Sequence, residues 1–208
     1  MKLPAFYPIL DTEIAIRRGV EPVRAAQQIL DAGARILQFR HKGFLSREAF
    51  AWLERTAEIT RAAGVVLVVN DRADLAMLFG TALHLGQDDL PPAAARRVVG
   101  PDTMVGFSTH NEAQLRAACA EPVDYLAFGP IFGTVTKENP DPMVGLDELR
   151  RLRAISDRPL IAIGGITRAN ASQVLDAGAD SVAVIGDLFP EDGKIEARTK
   201  EYVRLLTS

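Results

Sequence analysis

Eight short apolar runs recur along the chain, at Phe6–Leu10, Arg35–Phe39, Val65–Val69, Ala82–Leu85, Met104–Phe107, Tyr125–Phe128, Leu160–Ile163 and Ser181–Ile185. Most are continuous rather than alternating, the pattern of parallel strands buried on both faces. Helical patterns fill the gaps, at Pro22–Ala32, Arg47–Ala63, Leu75–Phe79, Pro91–Val99, Glu112–Ala120, Leu146–Ile155, Arg168–Ala177 and Lys194–Leu206. Gly33, Gly64 and Gly178 stand where helices should stop, and Ser46 and Thr167 where helices should start. Two helix ends share nearly the same wording, Ile29 to Ala34 and Val174 to Ala179, which reads as one turn chemistry used twice. Strict alternation of strand and helix predicts a parallel sheet. Because the units run to eight, closure into a (β/α)8 TIM barrel is the better reading, with a doubly wound open sheet as the alternative. No Pro/Gly/Ser-rich linker divides residues 1–208, so a single domain is expected.

Each run ends in a polar or glycine-rich cluster. In a barrel, every strand's carboxyl end opens on the same face, so these clusters would share one mouth. Gln38, Arg40 and Lys42 alternate along one strand end, so period-two spacing sends them to one face and His41 to the other. An arginine fork and a lysine point charge can neutralise a diphosphate, although a solvated strand end with a surface ion pair would look the same. Asn70-Asp71 and Asp88-Asp89 follow neighbouring strands, and carboxylates so placed can share one magnesium ion. The plainer reading makes each aspartate a helix N-cap.

The stretch Gly129 to Lys137 opens a connection running to Gly145, longer than the usual ~2–6 residues. Its Thr134, Thr136 and Lys137 suit a phosphate-gripping lid, and an ordinary excursion loop is the alternative. Gly164-Gly165 and Ile185-Gly186 close strands seven and eight, where barrels often bind phosphate through backbone N–H groups. Ser108 and His110 end strand five without an acid placed to complete a nucleophilic triad, so Ser108 reads as a ligand-binding hydroxyl and His110 as a helix cap. His84, inside an apolar strand, reads as a satisfied barrel histidine.

Lys+Arg 24 against Asp+Glu 27 leaves a net charge of −3, so any anion site must be local and neither nucleic acid nor an anionic membrane is an expected partner. Cys119 stands alone, which excludes an internal disulfide and suits a reducing, cytoplasmic setting. The opening Met1-Lys2-Leu3-Pro4 runs into a strand without a signal-peptide core, and no apolar run approaches the ~18 residues of a membrane span. Small-molecule substrates are expected, and an oligomer is compatible with the sequence.

Taken in order, Gln38 to Lys42, Val69 to Arg72, His84 to Asp89, Gly106 to His110, Gly129 to Lys137 and Ile163 to Ile166 resemble the thiamine phosphate synthase (thiamine-phosphate pyrophosphorylase) family over nearly the whole chain. The resemblance implies a (β/α)8 barrel that joins hydroxymethylpyrimidine diphosphate to hydroxyethylthiazole phosphate, releasing diphosphate. It implies that Gln38, Phe39, Arg40, His41, Lys42, Asn70, Ser108 and Lys137 hold the pyrimidine diphosphate, with Arg40, Lys42, Ser108 and Lys137 acting in catalysis. Asp71 and Asp89 would hold one Mg2+, and Thr134, Val135, Thr136, Gly165, Ile185 and Gly186 would hold the thiazole phosphate. Gly186 stands where the family often has serine. A thiazole tautomerase, which should not need the diphosphate and magnesium residues, and a barrel that only binds a thiamine precursor, which the intact Lys42, Asp71, Asp89 and Lys137 disfavour, are the rival readings.

Overall fold

The computed structural model describes residues 3–133 and 142–206. Eight parallel strands close into a barrel in sequence order, with the last paired to the first. They are β1 (Phe6–Asp11), β2 (Ile36–Arg40), β3 (Val66–Asn70), β4 (Ala82–Leu85), β5 (Val105–Thr109), β6 (Tyr125–Phe128), β7 (Leu160–Ile163) and β8 (Ser181–Val184). The described helices are α1 (Thr12–Arg17), α2 (Pro22–Asp31), α3 (Arg47–Ala62), α4 (Ala73–Phe79), α5 (Pro92–Val99), α6 (Glu112–Ala118), α7 (Gly145–Arg153), α8 (Ala171–Asp176) and α9 (Ile195–Leu206), with a 3-10 turn at Gly186–Leu188. This is the expected (β/α)8 barrel, and closure sets aside the open sheet.

The continuous apolar strands serve two cores. Inward side chains such as Tyr7, Ile9, Ile36, Val68, Tyr125 and Ile161 fill the barrel. Outward ones such as Phe6, Leu10, Leu37, Phe39, Leu83 and Phe128 pack under the helices. The repeated helix-end wording folds alike at both places. Gly33 and Gly178 take φ of 94° and 103°. Ala34 N–H then reaches Ile29 O and Ala179 N–H reaches Val174 O, both at 3.4 Å. Glycine is required because this left-handed backbone crowds any Cβ.

Several boundaries differ from the sequence reading in one direction. β1, β2, β3 and β5 continue past the last apolar residue to Asp11, Arg40, Asn70 and Thr109. Ladder pairing carries them on: Asp11 pairs with Arg40, Asn70 with His84, and Thr109 with Phe128. α1 is an added element, too short to show a helical period, and Asp11 Oδ1 caps it by accepting from Ile14 N–H at 2.9 Å. α8 begins later than expected, at Ala171. Thr167 is not its cap: Asn170 Oδ1 accepts from Thr167 N–H at 2.7 Å and Asn170 Nδ2 donates to Gly165 O at 3.1 Å, holding the intervening residues as a turn.

Candidate active site

The extended strand ends bring the polar clusters to the carboxyl face. Lys42, just past β2, donates from Nζ to Asp71 Oδ2 at 2.5 Å. Asp71 follows β3 with φ of 65°, the only non-glycine positive φ among the described residues. Aspartate tolerates this region better than most residues, yet it remains uncommon. The turn is fixed by Asp71 N–H to His84 O and Arg72 N–H to Asn70 O, each 2.8 Å. It points the Asp71 carboxylate at Asp89, which follows β4.

Neither aspartate is a helix cap. Arg72 and Pro91 occupy those positions without side-chain caps. Asp89 Oδ2 instead accepts from Gly86 N–H at 2.6 Å, closing its own loop, while Asp88 is exposed. Burial and the facing Asp89 carboxylate push the Asp71 pKa up to about 6, against the pull of Lys42. Burial also opposes ionisation of Asp89, but the bond from Asp71, the Gly86 N–H and Lys42 together hold its pKa below the ordinary value. Two carboxylates crowded this closely favour one shared proton or one shared cation. No group of three or more His, Cys, Asp or Glu gathers among the described residues, so any metal here would take two protein carboxylates. That donor set fits magnesium, which keeps water and substrate oxygens in its shell.

Arg40 makes an ion pair with Asp11, a residue not singled out from sequence. Asp11 is buried and fixes the guanidinium at the rim while its other oxygen caps α1. An acid directly after an apolar strand run was the available signal, close to the one that marks Asp71 one residue beyond its run. Phe39 and His41 approach Lys42 and Asp71 from the helix side. Phe39 faces the helix layer. The His41 ring is held by Thr12 Oγ1 at 2.7 Å and Phe44 O at 3.1 Å. Both line a cavity of about 180 Å3 behind the strand ends, whose wall also includes Lys42 and Asp71.

A chain of hydrogen bonds crosses the barrel interior beneath the mouth. Gln38 Nε2 donates to Tyr7 Oη at 3.1 Å. Tyr7 and Tyr125 hydroxyls meet at 2.9 Å. Tyr125 Oη lies 3.0 Å from His84 Nδ1, and His84 Nε2 lies 2.9 Å from Ser108 Oγ. Burial depresses the His84 pKa to about 4 and raises those of both tyrosines, so all three are neutral. His84 is thus the satisfied barrel histidine expected. Gly106 makes the chain sterically possible: a Cβ there would lie 2.0 Å from Tyr125 Cζ. The tyrosines were not singled out, although a glycine inside an apolar strand signals close approach of a neighbour.

Asn70 Nδ2 is buried without a hydrogen-bond partner among the described residues. His110 is not the α6 cap. Asn111 takes that role, and the His110 ring meets Gly129 O at 2.7 Å. Residues 129–133 lie against the β7 end through Ile131 N–H to Ile163 O and Phe132 N–H to Gly164 O, at 2.9 and 3.0 Å. Gly165, at φ 63°, passes so close that a Cβ would meet Gly133 O at 2.5 Å. Ile185 and Gly186 close β8 beside this loop pair in sequence order, Gly186 opening the 3-10 turn. Thr134, Val135, Thr136 and Lys137 lie outside the described residues.

A closed parallel barrel with its ionisable and hydrogen-bonding groups gathered at the strands' carboxyl ends is the layout of a (β/α)8-barrel enzyme. The sequence profile described as thiamine monophosphate synthase matches residues 6–188. A thiamine-phosphate synthase of Koribacter versatilis is 48% identical over 216 residues, covering 100% of this chain and 98% of that protein. One from Chloroflexus aurantiacus is 38% identical over 182 residues, covering 87% and 84%. Among solved structures, a thiamine phosphate pyrophosphorylase from Pyrococcus furiosus superimposes with a TM-score of 0.85 at 26% identity, over 98% of this chain and 96% of that one. The chain belongs to the thiamine monophosphate synthase family and is a transferase of thiamine biosynthesis. No helix among the described residues is long and apolar enough to cross a membrane.

Proposed function

We propose that this enzyme joins 4-amino-2-methyl-5-hydroxymethylpyrimidine diphosphate to 4-methyl-5-(2-hydroxyethyl)thiazole phosphate in the cytoplasm, giving thiamine phosphate and diphosphate. The observation that carries this reading is the convergence of Lys42, Asp71 and Asp89 from three successive strand ends. The bond from the pyrimidine methylene carbon to the diphosphate oxygen breaks, and its electron pair leaves with diphosphate. The electron-rich aminopyrimidine stabilises the methylene cation, and the thiazole nitrogen supplies the pair for the new C–N bond. No proton moves, which matches a site whose central histidine is buried and neutral.

Arg40 and Lys42 would neutralise the departing charge, joined by Lys137 as the resemblance implies. Asp71 and Asp89 would hold one magnesium ion, which when bound spreads the leaving group's negative charge. Asn70 Nδ2, Gln38 and Ser108 would hold the pyrimidine diphosphate. Backbone N–H groups at Gly165 and Gly186, with Thr134 and Thr136, would hold the thiazole phosphate. The test is diphosphate release by purified protein given both substrates and magnesium, with thiamine phosphate confirmed by mass. Product requiring all three is expected. Thiazole phosphate binding without product formation would overturn the reading.

A further inference from the structure

We propose that Tyr7, Tyr125 and His84 form a polarised relay that fixes the Ser108 hydroxyl as a hydrogen-bond donor to ligand while leaving the Gln38 carbonyl as an acceptor. The inference deepens the proposed function and rests on its reading of Gln38 and Ser108 as ligand-binding groups. Its geometry is four consecutive contacts of 2.9–3.1 Å running from β2 through β1 and β6 to β4 and β5. Tyr7 and Tyr125 are 1% exposed and His84 8%, so a misdirected hydrogen would have little water to turn to.

The polarity follows from counting hydrogens. A phenol has one O–H and a neutral imidazole one N–H. Gln38 Nε2 can only donate, so Tyr7 Oη accepts there and its own hydrogen goes to Tyr125 Oη. The Tyr125 hydrogen then goes to His84 Nδ1, which leaves the ring proton on Nε2, directed at Ser108 Oγ. Ser108 accepts from the histidine, and its own hydrogen is available to an anionic oxygen. The opposite polarity would satisfy the chain too, but only with the Gln38 amide reversed. Ser108 would then spend its hydrogen on His84 and present a lone pair to a diphosphate, which repels it. Neutral, buried links suit this role because none changes charge in the working pH range. Tyr7, Tyr125 and His84 are positioning residues: they act through Gln38 and Ser108.

The experiment is 15N NMR of ring-labelled histidine in the whole protein, with the His84 signals assigned by their loss in His84→Gln. His84 is expected as the Nε2–H tautomer. Nδ1–H in the wild-type protein would overturn the polarity. This readout needs no catalysis, so it stands even if the proposed reaction fails. The kinetic arm uses Tyr125→Phe, which keeps the ring that fills the space over Gly106. Turnover should fall roughly tenfold, about the worth of one hydrogen bond. In Ser108→Ala the same change should add little, since the relay then has nothing to orient. Fully additive losses, or a Tyr125→Phe variant as active as wild type, would show that the tyrosine only packs.

Discussion

Lys42 Nζ sits 2.5 Å from Asp71 Oδ2, so the lysine expected to meet a diphosphate is held by a carboxylate expected to meet magnesium. The same carboxylate also faces Asp89. Lys42 therefore supplies the positive charge that this carboxylate pair calls for. A divalent cation bound there would replace that charge and free Lys42 to turn toward the phosphates.

Two variants separate these roles. Asp71→Asn should lower turnover by more than ~100-fold, because charge stabilisation of a leaving group is commonly worth several kcal/mol. Lys42→Met should also lower turnover, yet it should bind magnesium at least as tightly as wild type, since the competing cation is gone. Steady-state rates and magnesium titration of each variant check this. Near-wild-type turnover in Asp71→Asn would remove Asp71 from the chemistry. Weaker magnesium binding in Lys42→Met would show that the lysine supports the site rather than competes for it.

Proton and cation also compete. Burial and the facing Asp89 push the Asp71 pKa up to about 6. Magnesium needs the ionised carboxylate, so binding must expel that proton below pH 6 and need not above it. Affinity should be nearly flat from pH 7 to 8 and fall by about tenfold per unit below 6. Calorimetric titration in buffers of different ionisation enthalpy reads both the affinity and the proton released. Equal affinity at pH 5 and pH 7.5 would contradict the shared-carboxylate picture.

The sequence made the barrel legible because buried parallel strands are continuously apolar, and each run announced itself. It blurs the site because a polar residue after an apolar run reads as the end of the strand. Arg40, Asn70 and Ser108 lie within strands, polar at the carboxyl ends where the barrel meets its loops. Period-two spacing placed Gln38 and Arg40 together correctly, since alternation survives to the strand end. Asp11 and the Tyr7–Tyr125 pair escaped notice for another reason. A local signal marks each place, but not the partners more than 25 residues away that give it meaning. The residue pattern alone leaves Asp88 and Asp89 equivalent; the family resemblance singles out Asp89, and the Gly86 turn gives the physical difference between them.

Gly106 offers a test that is independent of catalysis. A methyl there would land 2.0 Å from Tyr125 Cζ, inside the packed barrel. The ring must shift, and its bonds to Tyr7 and His84 would lengthen. Gly106→Ala should cost roughly 1–3 kcal/mol, the usual penalty of overpacking. At ~2–4 °C per kcal/mol for a chain of this size, thermal unfolding should drop by several degrees. An unchanged Tm would mean that the interior has slack that the contacts do not show.

The two glycines expected near the thiazole phosphate should respond in opposite ways to substitution. Gly165 takes a left-handed backbone at φ 63°, and a Cβ would lie 2.5 Å from Gly133 O and 2.7 Å from Phe132 Cβ. Gly165→Ala therefore strains the backbone and pushes the 129–133 loop from its place against β7. Thiazole phosphate affinity should fall at least ~tenfold, because a displaced loop no longer offers its groups in register. Gly186 opens a 3-10 turn and is not among the positive-φ glycines, so its backbone accepts a side chain without conformational strain. Gly186→Ser adds a hydroxyl where a phosphate is expected, and affinity should hold or improve by a few-fold, the worth of one modest hydrogen bond. Binding of thiazole phosphate by calorimetry, measured without the second substrate, checks both. A large loss in Gly186→Ser would show that the phosphate packs against the bare backbone there and that the glycine is sterically required.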